Sequence, residues 1–351
     1  MPKRIEIRLL VVKLLLALTI VACQSSQQNR PSEGTISAAS SNTADCRTVK
    51  HEVGETAVCG QPQRIVVLGP YVLEPLLALG VQPFGYAEHV ALHQGEYDDP
   101  SKQIPYLGDR VTQPLANVGL AYTPSVESII KTRPDLILAV EGSDYETLSR
   151  VAPTELLVKR DNADQNLRIV AKAVDRTARA ERLITQTQQQ VAESRQAFAP
   201  LVKTHPQIAL LDSSDLIEIR LSRPGGLCNS LIEALGFELI SPPGVENNDP
   251  DKVKSISLET LPQLNDADSI ILLGSNFSDL NQLDNVERFE EHQLLDVRQA
   301  WENSAIAQAL KASEEGRVYF IPAYLCRGLP GPIGTELYIE ELKQQLLTQP
   351  S

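Results

Sequence analysis

The sequence predicts an α/β protein built as two parallel-sheet lobes joined by a single long α-helix, with a ligand cleft between the lobes. Three observations carry this. Short β-branched runs alternate with helix-patterned stretches before residue 165, as in a parallel sheet covered on both faces. The same alternation restarts after residue 203. Between the two lies 166–202, which has no Gly, carries its one Pro at Pro200 and is filled with Ala, Arg, Gln, Leu and Glu, all good helix formers except Pro200. Its apolar residues Leu167, Val170, Val174, Ala178, Leu183, Ile184, Val191, Ala192 and Phe198 recur mostly at helical spacing. Unbroken, such a helix measures on the order of 50 Å at 1.5 Å per residue. A coiled-coil segment is the rival reading. The irregular heptad and the α/β patterns on both sides favour a rigid strut.

The chain order then divides into 1–22, 23–45, 46–165, 166–202 and 203–351. MPKRIEIRLLVVKLLLALTIVAC is a basic start followed by an apolar run, the layout of a secretory signal, and the run is shorter than a comfortable membrane span. Ile20-Val21-Ala22-Cys23 resembles a bacterial lipobox, which would make Cys23 the lipid-carrying mature N-terminus; an ordinary signal peptide with an incidental Cys is the alternative. Residues 24–44 are rich in Ser, Gln and Asn and poor in large apolar side chains, so they read as a flexible tether. Export permits disulfides. Cys46 and Cys59 flank a short segment that reads as a hairpin stapled across its ends, a closure worth roughly 3 kcal/mol in the chain-entropy model. Cys228 and Cys326 are far apart in sequence, and spacing alone leaves their pairing open. A zinc site built from these four cysteines lacks a C-x2-C knuckle.

In the first lobe, Arg64–Gly69 is a buried strand ended by Gly-Pro, Pro70–Leu79 a helix closed by Gly80, and Gln82–Tyr86 a second strand. A helix opens at Thr123 with Pro124 at its first position. Asp135–Val140 is a strand, Asp144–Val151 a helix and Glu155–Val158 a strand. In the second lobe, Gln207–Leu211 and Leu216–Leu221 are strands, Leu227–Leu235 a helix closed by Gly236, and Phe237–Ile240 a strand. Ser257 caps a helix to Leu261, Ser269–Leu273 is a strand, Trp301–Ala312 a helix, Arg317–Ile321 a strand and Pro332–Leu347 a final helix. A net charge of −13 argues against nucleic acid as the main partner, and 42% hydrophobic residues support sizeable cores.

PQRIVVLGPYVLEPLLALG (62–80), TPSVESIIKTRPDLIL (123–138), SLIEALGFEL (230–239), ISLETLPQLNDADSIILL (256–273) and RGLPGPIGTEL (327–337) together resemble the helix-hinged solute-binding proteins of bacterial iron-siderophore and cobalamin importers, in the iron(III)-dicitrate-like branch. The resemblance spans roughly 46–347. It implies two Rossmann-like lobes bridged by a long helix, a monomeric lipoprotein of the cell envelope, and no catalytic step or cofactor. It implies a small-molecule ferric chelate as ligand and an ABC permease dimer as membrane partner. By the same resemblance Glu74 and Glu233, each on the first helix of a lobe, would dock into arginine pockets of the permease; ordinary solvated glutamates are the alternative reading. Cobalamin, haem or a bare divalent metal are alternative cargoes. An enzyme or redox lipoprotein is a third possibility, but the chain has no G-x-S-x-G elbow, Walker A loop or G-x-G-x-x-G after a strand.

An anionic ferric chelate calls for arginine, whose planar fork pairs bidentately with carboxylates. Arg110, Arg220, Arg223 and Arg327 lie in or near Gly/Pro-containing loops, and Tyr71, Tyr122, Tyr324 and Trp301 are candidate aromatic walls. Surface ion pairs and core packing are the competing roles. In Arg327 to Gly331 the run Leu-Pro-Gly extends the family's Arg-Gly-Pro. Glu88-His89-Val-Ala-Leu-His93 is the one segment with metal-ligand character, and no metal site is assigned to it.

Overall fold

The computed structural model describes residues 45–348 apart from 52, 158–162, 222–224, 246–253, 281–282 and 284–285. Strands β1 (Cys46–His51) and β2 (Gly54–Cys59) form an antiparallel hairpin in which Cys46 faces Cys59. A disulfide joins that pair, with the Cα atoms 4.0 Å apart. The first lobe follows. Its strands are β3 (Ile65–Leu68), β4 (Gly85–Glu88), β5 (Ala116–Leu120), β6 (Thr123–Pro124), β7 (Leu136–Val140) and β8 (Thr154–Leu157). They lie in the order β6-β5-β4-β3-β7-β8, parallel except for the β5–β6 pair. From the central β3 the chain builds first toward β4 and β5, then returns to the other side for β7 and β8, so the order reverses between β3 and β7.

Helix α1 (Pro70–Ala78) covers one face of this sheet, beginning as predicted with Pro at its first position. The helix expected to open at Thr123 starts later, as α2 (Val126–Thr132). Pro124 belongs instead to β6, and the Ser125 side chain takes the cap role by accepting from Ser128 N. Asp144 caps α3 (Tyr145–Ser149) in the same way.

The predicted strut is two helices. Helix α4 (Ala163–Ala173) ends at a break, and α5 (Thr177–Thr204) runs on for 28 residues, about 42 Å. Composition alone missed the break because its causes are tertiary. Asp175 adopts φ 55°, its carboxylate accepts from Gln61 Nε2 at 2.8 Å, and Arg47 of the hairpin donates to the terminal carbonyl of Ala173 at 2.9 Å. Along α5, Ala180 and Ile184 are buried in the first lobe and Ser194 and Phe198 are buried further along, with Phe198 in the core of the second lobe; no residue from 185 to 193 is buried. The strut is thus anchored at both ends and solvated in the middle.

In the second lobe β9 (Gln207–Ser213) is central. It pairs antiparallel with β10 (Ile219–Leu221) and parallel with β13 (Ser269–Gly274), which pairs in turn with β14 (Val318–Pro322). Short strands β11 (Glu238–Leu239) and β12 (Ser255–Ile256) pair with β9 and β10. Helix α6 (Leu227–Leu235) closes at Gly236, which takes φ 107°. The segment after Ser257 is 3-10 helix, Leu258–Leu264. The helix expected over 301–312 is the end of α7 (Glu287–Asn303) followed by two single turns, α8 (Ala305–Gln308) and α9 (Lys311–Glu314). Helices α10 (Ala323–Arg327) and α11 (Pro332–Leu347) complete the lobe. A second disulfide, Cys228–Cys326, fastens α6 to α10.

The lobes share a core. One apolar cluster runs from Ile65, Tyr71, Leu73 and Leu76 of the first lobe to Leu280, Phe289, Tyr324, Leu329 and Ile333 of the second. The cleft is accordingly a seam, filled by side chains from both sides.

Candidate functional site

In open α/β sheets ligands bind beyond the carboxyl ends of the strands, where the strand order reverses. In the second lobe that crevice lies between β9 and β13. Asp212, near the end of β9, is 4% exposed. Its Oδ1 accepts from Arg220 Nη2 at 2.8 Å and from Ser275 Oγ, just beyond β13, at 2.9 Å. Its Oδ2 accepts from Arg327 Nη1, at the end of α10. Arg220 Nη2 also reaches Ser275 Oγ at 3.0 Å. The two arginine side chains are 33% and 40% exposed, so each guanidinium is anchored on one side and open on another. Two of the predicted arginines are therefore brought together, on rigid strand and helix ends.

The loop carrying Ser275 leads into the seam. Phe277 meets the His89 ring of the first lobe with centroids 6.1 Å apart. His89 also packs against Tyr71 (5.6 Å) and Tyr324 (5.3 Å). Beneath them lies Glu88, the last residue of β4 and nearly fully buried. Its Oε2 accepts from Tyr86 Oη at 2.7 Å and, across the seam, from Tyr324 Oη at 3.0 Å. Its Oε1 lies 2.8 Å from the His89 backbone N and 2.7 Å from His89 Nδ1. Burial, then the Glu88 charge, pushes both phenols well above their ordinary range, so each keeps its proton and donates.

A second contact crosses the seam beside the strut. The Glu74 carboxylate, fully buried, accepts from Ile333 N at 2.6 Å at the amino end of α11. Burial raises its pKa to about 7, against the opposing pull of the Ile333, Gly334 and Gly331 amides and of Arg110. Helix amino ends favour carboxylates. Arg110 adds a 3.6 Å ion pair to Glu336 of α11.

These positions correct two expectations. Glu74 is not on a docking surface, because α11 packs over it and uses it as a cap. Trp301 does not line the cleft. It is 2% exposed within the core on the far face of the second sheet, with Leu261 and Leu310, and its Nε1 donates to Ser313 Oγ at 3.2 Å. Arg110 bridges the lobes at the α11 contact. Tyr71 and Tyr324 sit in the seam, whereas Tyr122 is part-exposed and lies by Gly142 beyond β7. Glu233 is exposed on α6. Arg223 and Cys23 fall outside the described residues. Residues 89–93 are not helical, so His89 and His93 do not share a helical face; His93 packs at a tilt against Tyr97 with ring centroids 5.1 Å apart, and among the described residues no group of three or more His, Cys, Asp or Glu could hold a metal ion. Sequence reasoning missed Asp212, Ser275 and Phe277, and read Glu88 only as part of a segment with metal-ligand character. The available signal was a polar residue at the carboxyl end of an apolar strand.

A family model described as periplasmic binding protein matches residues 65–325. The chain belongs to that family. Among its relatives, the Fe(3+)-citrate-binding protein YfmC of Bacillus subtilis (strain 168) is 25% identical over 322 residues, covering 89% of this chain and 88% of its own length. The Probable siderophore-binding lipoprotein YfiY of the same strain is 31% identical over 241 residues, 66% of this chain and 67% of its own length. Staphylococcus aureus SirA, solved with staphyloferrin B, superposes with a TM-score of 0.68 at 21% identity over 86% of this chain and 98% of its own. That likeness shows the fold: two α/β lobes joined by a helix. Family members of this kind are binding proteins, and no helix among the described residues is long and apolar enough to cross a membrane.

Proposed function

We propose that this protein captures an anionic ferric chelate, of the siderophore or ferric-citrate type, and passes it to an ABC permease. The observation that carries this reading is the convergence of Arg220 and Arg327 on Asp212 at the strand-order reversal of the second lobe, beside an aromatic seam. Planar guanidinium forks suit carboxylate and catecholate oxygens. The names of the relatives YfmC and YfiY support the cargo class, and only that of YfmC bears on the dicitrate-like branch. Binding is the whole of the proposed chemistry, with no catalytic step. Cys228 and Cys326, the opening for thiol chemistry, are bonded to each other. Cys23 is the proposed site of lipid anchoring, and the exposed Glu233 is the docking contact the reading retains; Glu74 drops out.

Calorimetric titration with ferric citrate, a ferric tris-catecholate and a ferric trihydroxamate tests it. At least one anionic chelate binds, and Arg220→Ala and Arg327→Ala each weaken it by about tenfold or more, the loss of one charge-assisted contact. Unchanged affinity in both variants removes them from the site. Glu233→Ala leaves chelate affinity unchanged and lowers uptake by cells; full uptake would discard the docking role.

A further inference from the structure

We infer that Asp212 is a positioning residue that sets both the geometry and the charge of the binding site, and so its preference among chelates of different charge; the inference rests on the chelate reading above.

The backbone of Asp212 is held on both sides. It pairs with Arg220 across the β9–β10 ladder and with Leu273 across β9–β13. The side chain is nearly fully buried, and both oxygens are engaged by three groups from three separate elements: Arg220 of β10, Ser275 beyond β13, and Arg327 of α10. Two guanidinium groups this close repel one another. A carboxylate between them removes the repulsion and fixes each fork, because a buried charge tolerates little displacement from its partners. Ser275 in turn fixes the carboxylate, and its backbone N donates to Ser213 O at 3.1 Å, tying the loop to the end of β9.

The consequence is a site with one net positive charge where two arginines alone would present two. Each arginine keeps a third or more of its side chain in contact with solvent, so a chelate oxygen can approach without displacing Asp212. Electrostatic complementarity acts mainly on selectivity, on-rate and salt dependence. A site with the lower charge discriminates less steeply toward the most anionic chelates. Replacing Asp212 by its uncharged isostere keeps the shape and raises the charge.

The experiment compares wild type, Asp212→Asn and Asp212→Ala against the same three chelates across a range of sodium chloride concentrations. Asp212→Asn shifts preference about tenfold toward the trianionic tris-catecholate relative to the uncharged core of the ferric trihydroxamate, and its affinity depends more steeply on salt. Asp212→Ala weakens every chelate that wild type binds. A purely structural role would lower all affinities together and leave the salt slope unchanged, which overturns the charge-setting claim. A second readout needs no chelate. With 15N-arginine labelling, the Arg220 Nε–H exchanges slowly in wild type and fast in Asp212→Ala; equal exchange in the two overturns the positioning claim. If wild type binds none of the three chelates, the cargo reading fails and the arginine exchange alone decides the role of Asp212.

Discussion

Glu155 of β8 is fully buried, and neither carboxylate oxygen has a hydrogen-bond partner. Burial raises its pKa to about 8, with Arg47 and Lys172 pulling the other way. Between its unfolded value and about 8 the folded chain holds more protons than the unfolded one. Stability therefore falls as pH rises through that window and levels off above it. Glu74, raised to about 7, contributes in the same direction. Glu155→Gln is expected to remove much of the slope and to stabilise the protein by on the order of 2–4 kcal/mol at pH 9, while leaving it nearly unchanged at pH 4. Urea unfolding at the two pH values checks this; an equal effect at both would contradict it. The contrast with Asp212 and Glu88 is instructive. All three carboxylates are buried, but those two have hydrogen-bond donors at both oxygens, and they are the ones at the proposed site.

Helix α10 is only five residues long, too short to be stable alone, yet it carries Tyr324 into the seam and Arg327 onto Asp212. Its position is held by the Cys228–Cys326 bond to α6 and by Gln293 of α7, whose side-chain oxygen accepts from Tyr324 N at 3.1 Å. The disulfide closes a loop of about 100 residues, so the chain-entropy model assigns it a substantial share of stability. Replacing both cysteines by serine is expected to lower the unfolding free energy by about 2–4 kcal/mol in denaturant titration. Chelate affinity should fall as well, because Arg327 loses its fixed mount. A stability loss with full affinity would show that α10 is held adequately without the bond.

The two lobes are joined by more than their strut. Glu74 caps α11, Glu88 accepts from Tyr324, Arg110 meets Glu336, and a continuous apolar cluster runs through the seam. This arrangement leaves little room for wide domain rotation around α5. Gly331 makes a close approach across the seam, since a Cβ there would lie 1.9 Å from Glu74 Oε2. Gly331→Ala is expected to push α11 from α1 and to destabilise by about 1–3 kcal/mol. Hydrogen exchange should quicken in α1 and α11 and stay unchanged in β13 and β14. Faster exchange across the whole chain would mean instead that the seam and the sheets unfold as one unit.

The alternation of strands and helices, the helix beginning near Asp144, the termini of α6 and α11 and the pairing of Cys46 with Cys59 were legible because each depends on residues close together in the chain. Period, cap chemistry and loop closure are local signals. The break at Val174 to Arg176 was not legible, because it is held by Arg47 and Gln61 from more than 100 residues away. The same reason separates the glutamates: Glu74 and Glu233 sit in similar helical settings, but only Glu74 meets the amino end of a helix that begins at Pro332. Residue types alone determined that this chain forms two α/β lobes with arginines in loops near their ends. Which arginines share a carboxylate, and which glutamate is covered, was decided by packing, since a buried charge is stable only where distant elements bring it a partner.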